Sequence, residues 1–195
     1  MGAAHRFRLI VPPHSVRWFP EGEHCSDAQP GDLFIVRHGT AFADAIAAGQ
    51  RILSRTTERE LRGYTWGDHV AFSRPSPDGV PTLSEMGPHG YERRPVADYV
   101  ARLYAVVHFE VSDELRSLAV AYDDACSGVT YGWAEFLPLV LDGLTSAQFS
   151  GSWGDAIICS THLAIVLAGL GLFPDRPATA VIPEHFALWT GAGHE

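Results

Sequence analysis

The sequence predicts an α+β fold, with an antiparallel sheet or barrel packed against helices in a single domain spanning 1–195. Three observations predict it. Short runs rich in β-branched and aromatic residues (DLFIVR, HVAFSR, TLSEM, YAVVHFEV) are bounded by Pro, Gly and Asp turn signals. Stretches with helical spacing follow without the regular alternation that builds a parallel sheet. The chain has 195 residues, 46% hydrophobic and 19% charged, which suits one buried core rather than a disordered or fibrous chain.

In chain order, an extended piece is predicted at 6–11 and a second at 32–37, after the Pro30-Gly31 turn. The first thirty residues read as an N-terminal extension without an assigned role. Phe42, Ile46, Ile52 and Leu53 are spaced for a helix over 40–61, with Gly49 as an interruption. Strands follow at 69–74 and 82–86, separated by the turn Pro75-Ser-Pro-Asp-Gly79. Gly87–Gly90 is another turn, and 104–111 a further strand. Ser112 is a good N-cap, with Asp113 and Glu114 in the first turn of a helix running to about Cys126. A helix containing Pro138 is placed at 134–142, and the most apolar one at 156–170, with Gly171 as its stop. A strand at 180–182 precedes Pro183.

Composition narrows the chemistry. The formal net charge is −9, the wrong sign for a general phosphate-backbone binder, so no nucleic-acid partner is expected. All 14 cationic residues are Arg, which removes Schiff-base, P-loop and general-base lysines. The three cysteines, Cys25, Cys126 and Cys159, form no C-x-x-C pair; a disulfide framework and a four-thiolate metal site are both disfavoured. The apolar piece at 7–11 is too short for a signal-peptide core, and Arg6 stands where myristoylation needs Ser or Thr. No stretch reaches the roughly 18 apolar residues of a membrane span. A cytoplasmic protein is the expectation, with signal-less export as the alternative.

Of the three thiols, Cys159 has the setting for chemistry. It lies near the start of IICSTHLAIVLAGLG, where the helix dipole and free backbone N–H groups favour a thiolate and could hold an oxyanion. The competing reading is an inert core cysteine, the commoner fate in an apolar helix. Cys126 ends an amphipathic helix and Cys25 falls in a polar loop.

A cysteine nucleophile needs a base and a group to orient it. His69 opens the strand HVAFSR, on the face of Ala71 and opposite Val70 and Phe72. Glu85 lies on the following strand, and antiparallel pairing could bring its carboxylate beside the imidazole. The bland alternatives are a satisfied core histidine and a strand-edge charge.

The order of these pieces carries a resemblance. A Gly31-Asp32-Leu33 strand is followed by a helical region, Asp68-His69-Val70-Ala71 and Leu83-Ser84-Glu85. Much later come Cys159-Ser160, Gly169-Leu170-Gly171, Val181-Ile182-Pro183 and Phe186-Ala187. Over roughly 31–187 the chain resembles the circularly permuted, YiiX-like branch of the NlpC-type papain-like cysteine hydrolases, a sister group of the lecithin:retinol-acyltransferase-like enzymes. The resemblance implies a permuted papain-like fold with Cys159 as nucleophile, His69 as base and Glu85 as third polar residue. It implies a thiol hydrolase that cleaves an amide, peptide or related acyl bond through an acyl-cysteine, without a cofactor. The substrate would be a small molecule, a peptide or a lipid acyl group. Alternatives on the same fold are an acyltransferase or lipid deacylase, and a non-enzymatic binding module. The sequence departs from the family at Thr161-His162, where an acidic residue often follows the Cys-Ser pair, and in the Arg-rich segment 91–102.

Other residues invite roles around such a site. Trp66, three before His69, and Trp153, six before Cys159, either wall a cleft or pack in the core. Tyr131, in Tyr131-Gly132-Trp133, resembles a family segment before the Cys helix, and its hydroxyl is a candidate to assist. His162 shares a helix face with Cys159. Cys159, His162, His69 and His89 are zinc donors in type, but no pair among them has a familiar metal spacing, and no metal is assigned. Arg93-Arg94 is read either as a carboxylate or phosphate anchor or as a solvated pair. His108 is read as structural.

Overall fold

The computed structural model describes residues 11–39, 61–75, 78–87, 89–130, 158–169 and 181–193, together with 44, 47, 48, 51, 172 and 178. Six antiparallel strands form one sheet: β1 (His14–Phe19), β2 (Leu33–Arg37), β3 (His69–Arg74), β4 (Thr82–Gly87), β5 (Gly90–Pro95) and β6 (Leu103–Phe109). Their spatial order is β1-β6-β2-β3-β4-β5. Three α-helices are described, α1 (Asp113–Ala125), α2 (Cys159–Gly169) and α3 (Pro183–Thr190), with a 3-10 turn at Val96–Tyr99. The class is therefore α+β, as composition and strand spacing predict. No helix among the described residues is long and apolar enough to cross a membrane.

The central strands are buried on both faces, which explains their unbroken apolar runs. Leu33, Ile35, Val70, Phe72, Met86, Ala105 and Val107 face a core completed by Leu163, Val166 and Leu167 of α2 and Phe186 of α3. Phe34, Val36, Ala71, Leu83, Tyr104 and Val106 face the other way, under Phe19, Cys25, Val96 and Tyr99. Cys25 lies in a loop, as read from the sequence, but its side chain belongs to a core: it is 1% exposed, and its backbone N–H donates to the Tyr104 hydroxyl at 2.9 Å. All three cysteines are free thiols.

The start of β3 depends on a close approach. A Cβ added at Gly67 would lie 2.6 Å from Cγ2 of Ile35, itself fully buried. Gly67→Ala is expected to cost about 1–3 kcal/mol through overpacking, read as a lowered midpoint in thermal or urea unfolding. An unchanged midpoint would show that Ile35 can yield.

Helix α1 begins as predicted. The Ser112 side chain accepts from Leu115 N at 3.4 Å, and Asp113 and Glu114 occupy the first turn. Other expectations are corrected. An edge strand lies at His14–Phe19, paired to β6, so part of the N-terminal extension completes the sheet. Its alternating half-buried pattern is the mark of a strand with one solvated face. The Arg-rich piece Gly90–Pro95 is the edge strand of a hairpin with β4, whose charges suit an exposed sheet edge. The segment 181–182 is an extended lead without strand pairing, and Pro183 opens α3, where a proline at the first position loses no helical hydrogen bond. Gly191, in the left-handed conformation at φ 66°, closes that helix. The strand expected at 6–11 lies almost wholly outside the described residues, as does the helix at 134–142; of the helix at 40–61 only isolated positions are described.

Candidate active site

Helix α2 packs across β3 and β4, and the thiol, imidazole and carboxylate singled out above converge near its first turn. His69 opens β3, and Glu85 stands on the neighbouring strand, on the same sheet face by alternation. Glu85 Oε2 lies 2.7 Å from Nε2 of His69. The Cys159 sulfur stands close enough to the His69 ring to help raise its pKa. With Nε2 held by the carboxylate, Nδ1 is the ring nitrogen left for the thiol. Cys159 is 5% exposed, and all three groups are buried.

Glu85 has further partners. Oε1 lies 2.9 Å from Nε of Arg94, and Oε2 also accepts from the Tyr99 hydroxyl. Burial by itself raises the pKa of Glu85, but the charge and hydrogen bond of His69, with Tyr99 and Arg94, bring it down from the usual 4.5 to about 2. Burial likewise lowers that of His69, yet the proximity of Cys159 and Glu85 carries it well above the usual 6.5. Tyr99 is raised by burial and by the Glu85 charge, so its phenol stays a donor. The carboxylate is a fixed anion, and it favours a charged imidazole.

A second histidine completes the cluster. The His38 ring meets His69 edge-on, with centroids 4.6 Å apart, and Tyr99 at 5.9 Å. Its Nδ1 lies 3.4 Å from Asp68 Oδ1. Asp68 is itself fixed, since both its oxygens accept the His38 backbone N–H, at 3.0 and 3.1 Å. Residue types alone did not single out His38. Its signal was register: Val36 pairs with His69, and His38 lies two residues past Val36. Tyr99 had no such signal, because it reaches the site from a 3-10 turn whose position only the folded chain sets.

His162 is corrected as a substrate-binding residue. It is 2% exposed, with Nε2 2.9 Å from Asp123 Oδ1. Asp123 also accepts from Arg74 Nη1 at 2.6 Å, Tyr91 OH at 2.7 Å and Ser84 Oγ at 2.8 Å. His162 thus ties α2 to α1 and the sheet. Trp66 is also buried; its indole N–H donates to Ala192 O at 2.7 Å and its ring packs 4.6 Å from Trp18, so it braces the chain after α3. Tyr131 and Trp153 lie outside the described residues. His89 is exposed, and His108 pairs with buried Asp32 at 3.1 Å. Arg93 binds Asp124 at 2.6 Å while Arg94 binds Glu85 and Glu92, so this pair is used internally.

The constellation is chemically a thiol, an imidazole and a carboxylate in series, set on an antiparallel sheet and a helix start. No family model, curated protein or solved structure matches the chain.

Proposed function

We propose that the protein is a thiol hydrolase of the permuted papain-like type, cleaving an amide or related acyl bond through a covalent acyl-cysteine. The observation that carries the reading is His69 held at 2.7 Å by the Glu85 carboxylate while its ring interacts with the Cys159 thiol. The chain order His69, Glu85, Cys159 and the α+β layering support it.

In this reading His69 Nδ1 takes the thiol proton and the sulfur attacks the carbonyl carbon. The first intrahelical bond here runs from His162 N to Ile158 O at 2.9 Å, so the N–H groups of Cys159 and its neighbours precede it and can receive the oxyanion. The tetrahedral species collapses to a thioester as His69 returns the proton to the leaving nitrogen or oxygen. Water, deprotonated by the same ring, then releases the acid and regenerates the thiol. Glu85 stays ionised throughout, fixing the tautomer and stabilising the imidazolium.

The test is turnover of a panel of amides and esters by the native protein and by Cys159→Ala. The native protein should hydrolyse at least one compound that the variant leaves intact. Equal turnover by both would end the proposal.

A further inference from the structure

His38, His69 and Glu85 are the one group of three or more metal-donor side chains brought together among the described residues; their donor atoms all lie within 4.8 Å of one another. We propose that these three residues form a capture site for a divalent transition ion of borderline softness, with zinc the best match. Two imidazoles and a carboxylate are a common zinc donor set, leaving a fourth position for water.

The surroundings favour this use. A metal-binding histidine usually hands its other ring nitrogen to a carboxylate. His38 has that partner in Asp68, at 3.4 Å from Nδ1, which leaves Nε2 for an ion. Asp68 is immobilised by its two contacts to the His38 backbone. Glu85 keeps Arg94 on Oε1 and Tyr99 on one lone pair of Oε2, and the remaining lone pair now meets His69 Nε2. The ion replaces the proton shared between that nitrogen and that oxygen, releasing it to solvent. His38 is also the most open of these groups, 27% exposed in its side chain against 11% for His69 and 5% for Glu85, so entry is from its side.

Binding itself does not depend on the hydrolase reading. Its consequence does: an ion on His69 pulls the ring out of register with Cys159 and silences the thiol reversibly.

The experiment titrates Zn²⁺ into chelator-stripped full-length protein against a chromophoric competitor at near-neutral pH. One equivalent should bind. Affinity should fall at least about 10-fold in His38→Ala, and by about 10–100-fold in Asp68→Asn, which retains all three donors and serves if His38→Ala does not fold. His89→Ala, at an exposed turn, should bind as the native protein does. Absence of stoichiometric binding, or equal binding by native, His38→Ala and Asp68→Asn proteins, overturns the site. Alkylation of Cys159 by iodoacetamide is followed in parallel. Zinc should slow it in the native protein and not in His38→Ala. Binding without slowing removes the regulatory consequence and leaves the site standing. Alkylation no faster than that of a free thiol, without zinc, counts against the hydrolase reading alone.

Discussion

Asp123→Ala is expected to remove about 3–5 kcal/mol of folding stability, the usual cost of deleting one member of a buried, hydrogen-bonded charge network. Asp123 is fully buried and meets Arg74, His162, Ser84 and Tyr91 within 2.9 Å. Burial alone would raise its pKa, but His162, Tyr91 and Ser84 together lower it, so the native structure holds it as an anion. Removal takes one of two carboxylates from the buried Arg74 guanidinium and empties the junction of α1, α2 and three strands. Arg74 retains Asp124 at 2.7 Å, which places the loss toward the lower end of the range. Asp123→Asn keeps the shape and should cost less. Urea denaturation of the three proteins measures this; a loss below about 1 kcal/mol for the alanine variant would show that the network is not a cooperative unit. Because His162 lies one turn from Cys159, the same variant should also slow the thiol.

In the proposed hydrolase, His69→Gln is expected to cut turnover of any substrate found by a factor on the order of 10⁴ or more, since base and nucleophile would act as a unit. Glu85→Gln should cut it less, because an amide oxygen can still accept from the ring. Stability gives an independent reading of that pair through pH. The folded pKa of Glu85, about 2, lies below its usual 4.5, so its contribution is complete above 4.5 and is lost as pH falls through about 2. His69 is raised above 6.5, so its contribution is complete below 6.5 and is lost as pH climbs through the higher folded value. The stability gap between native and Glu85→Gln proteins should therefore be widest between 4.5 and 6.5 and close toward pH 2. Unfolding curves at several pH values test the sign; a gap that widens as pH falls toward 2 would mean that the carboxylate is not stabilised as an anion.

Much of this arrangement was legible from residue order. The β3 run HVAFSR and the capped start of α1 carry local signals strong enough to stand alone, and the placement of His69 and Glu85 on one face follows from strand alternation. The edge strands were harder to see. β1 is only half-buried and β5 carries Glu92, Arg93 and Arg94, so neither shows the apolar run that marks the central strands. Pro183 was ambiguous because a proline that ends a strand and one that opens a helix look the same until packing assigns the segment after it.

By itself the sequence determined the α+β class, the absence of lysine chemistry, and Cys159 as the thiol with a helix start. Those properties reside in composition and in periodicities of a few residues. Only the tertiary structure decided that Cys25 is core, that His162 is an anchor rather than a ligand contact, and that His38 and Tyr99 join His69 and Glu85. Each of these turns on pairing across the sheet between residues distant in the chain, where a shift of one position sends a side chain to the opposite face. The proposed cluster is therefore a property of register: the residue types supply the chemistry, and strand pairing decides which of them meet.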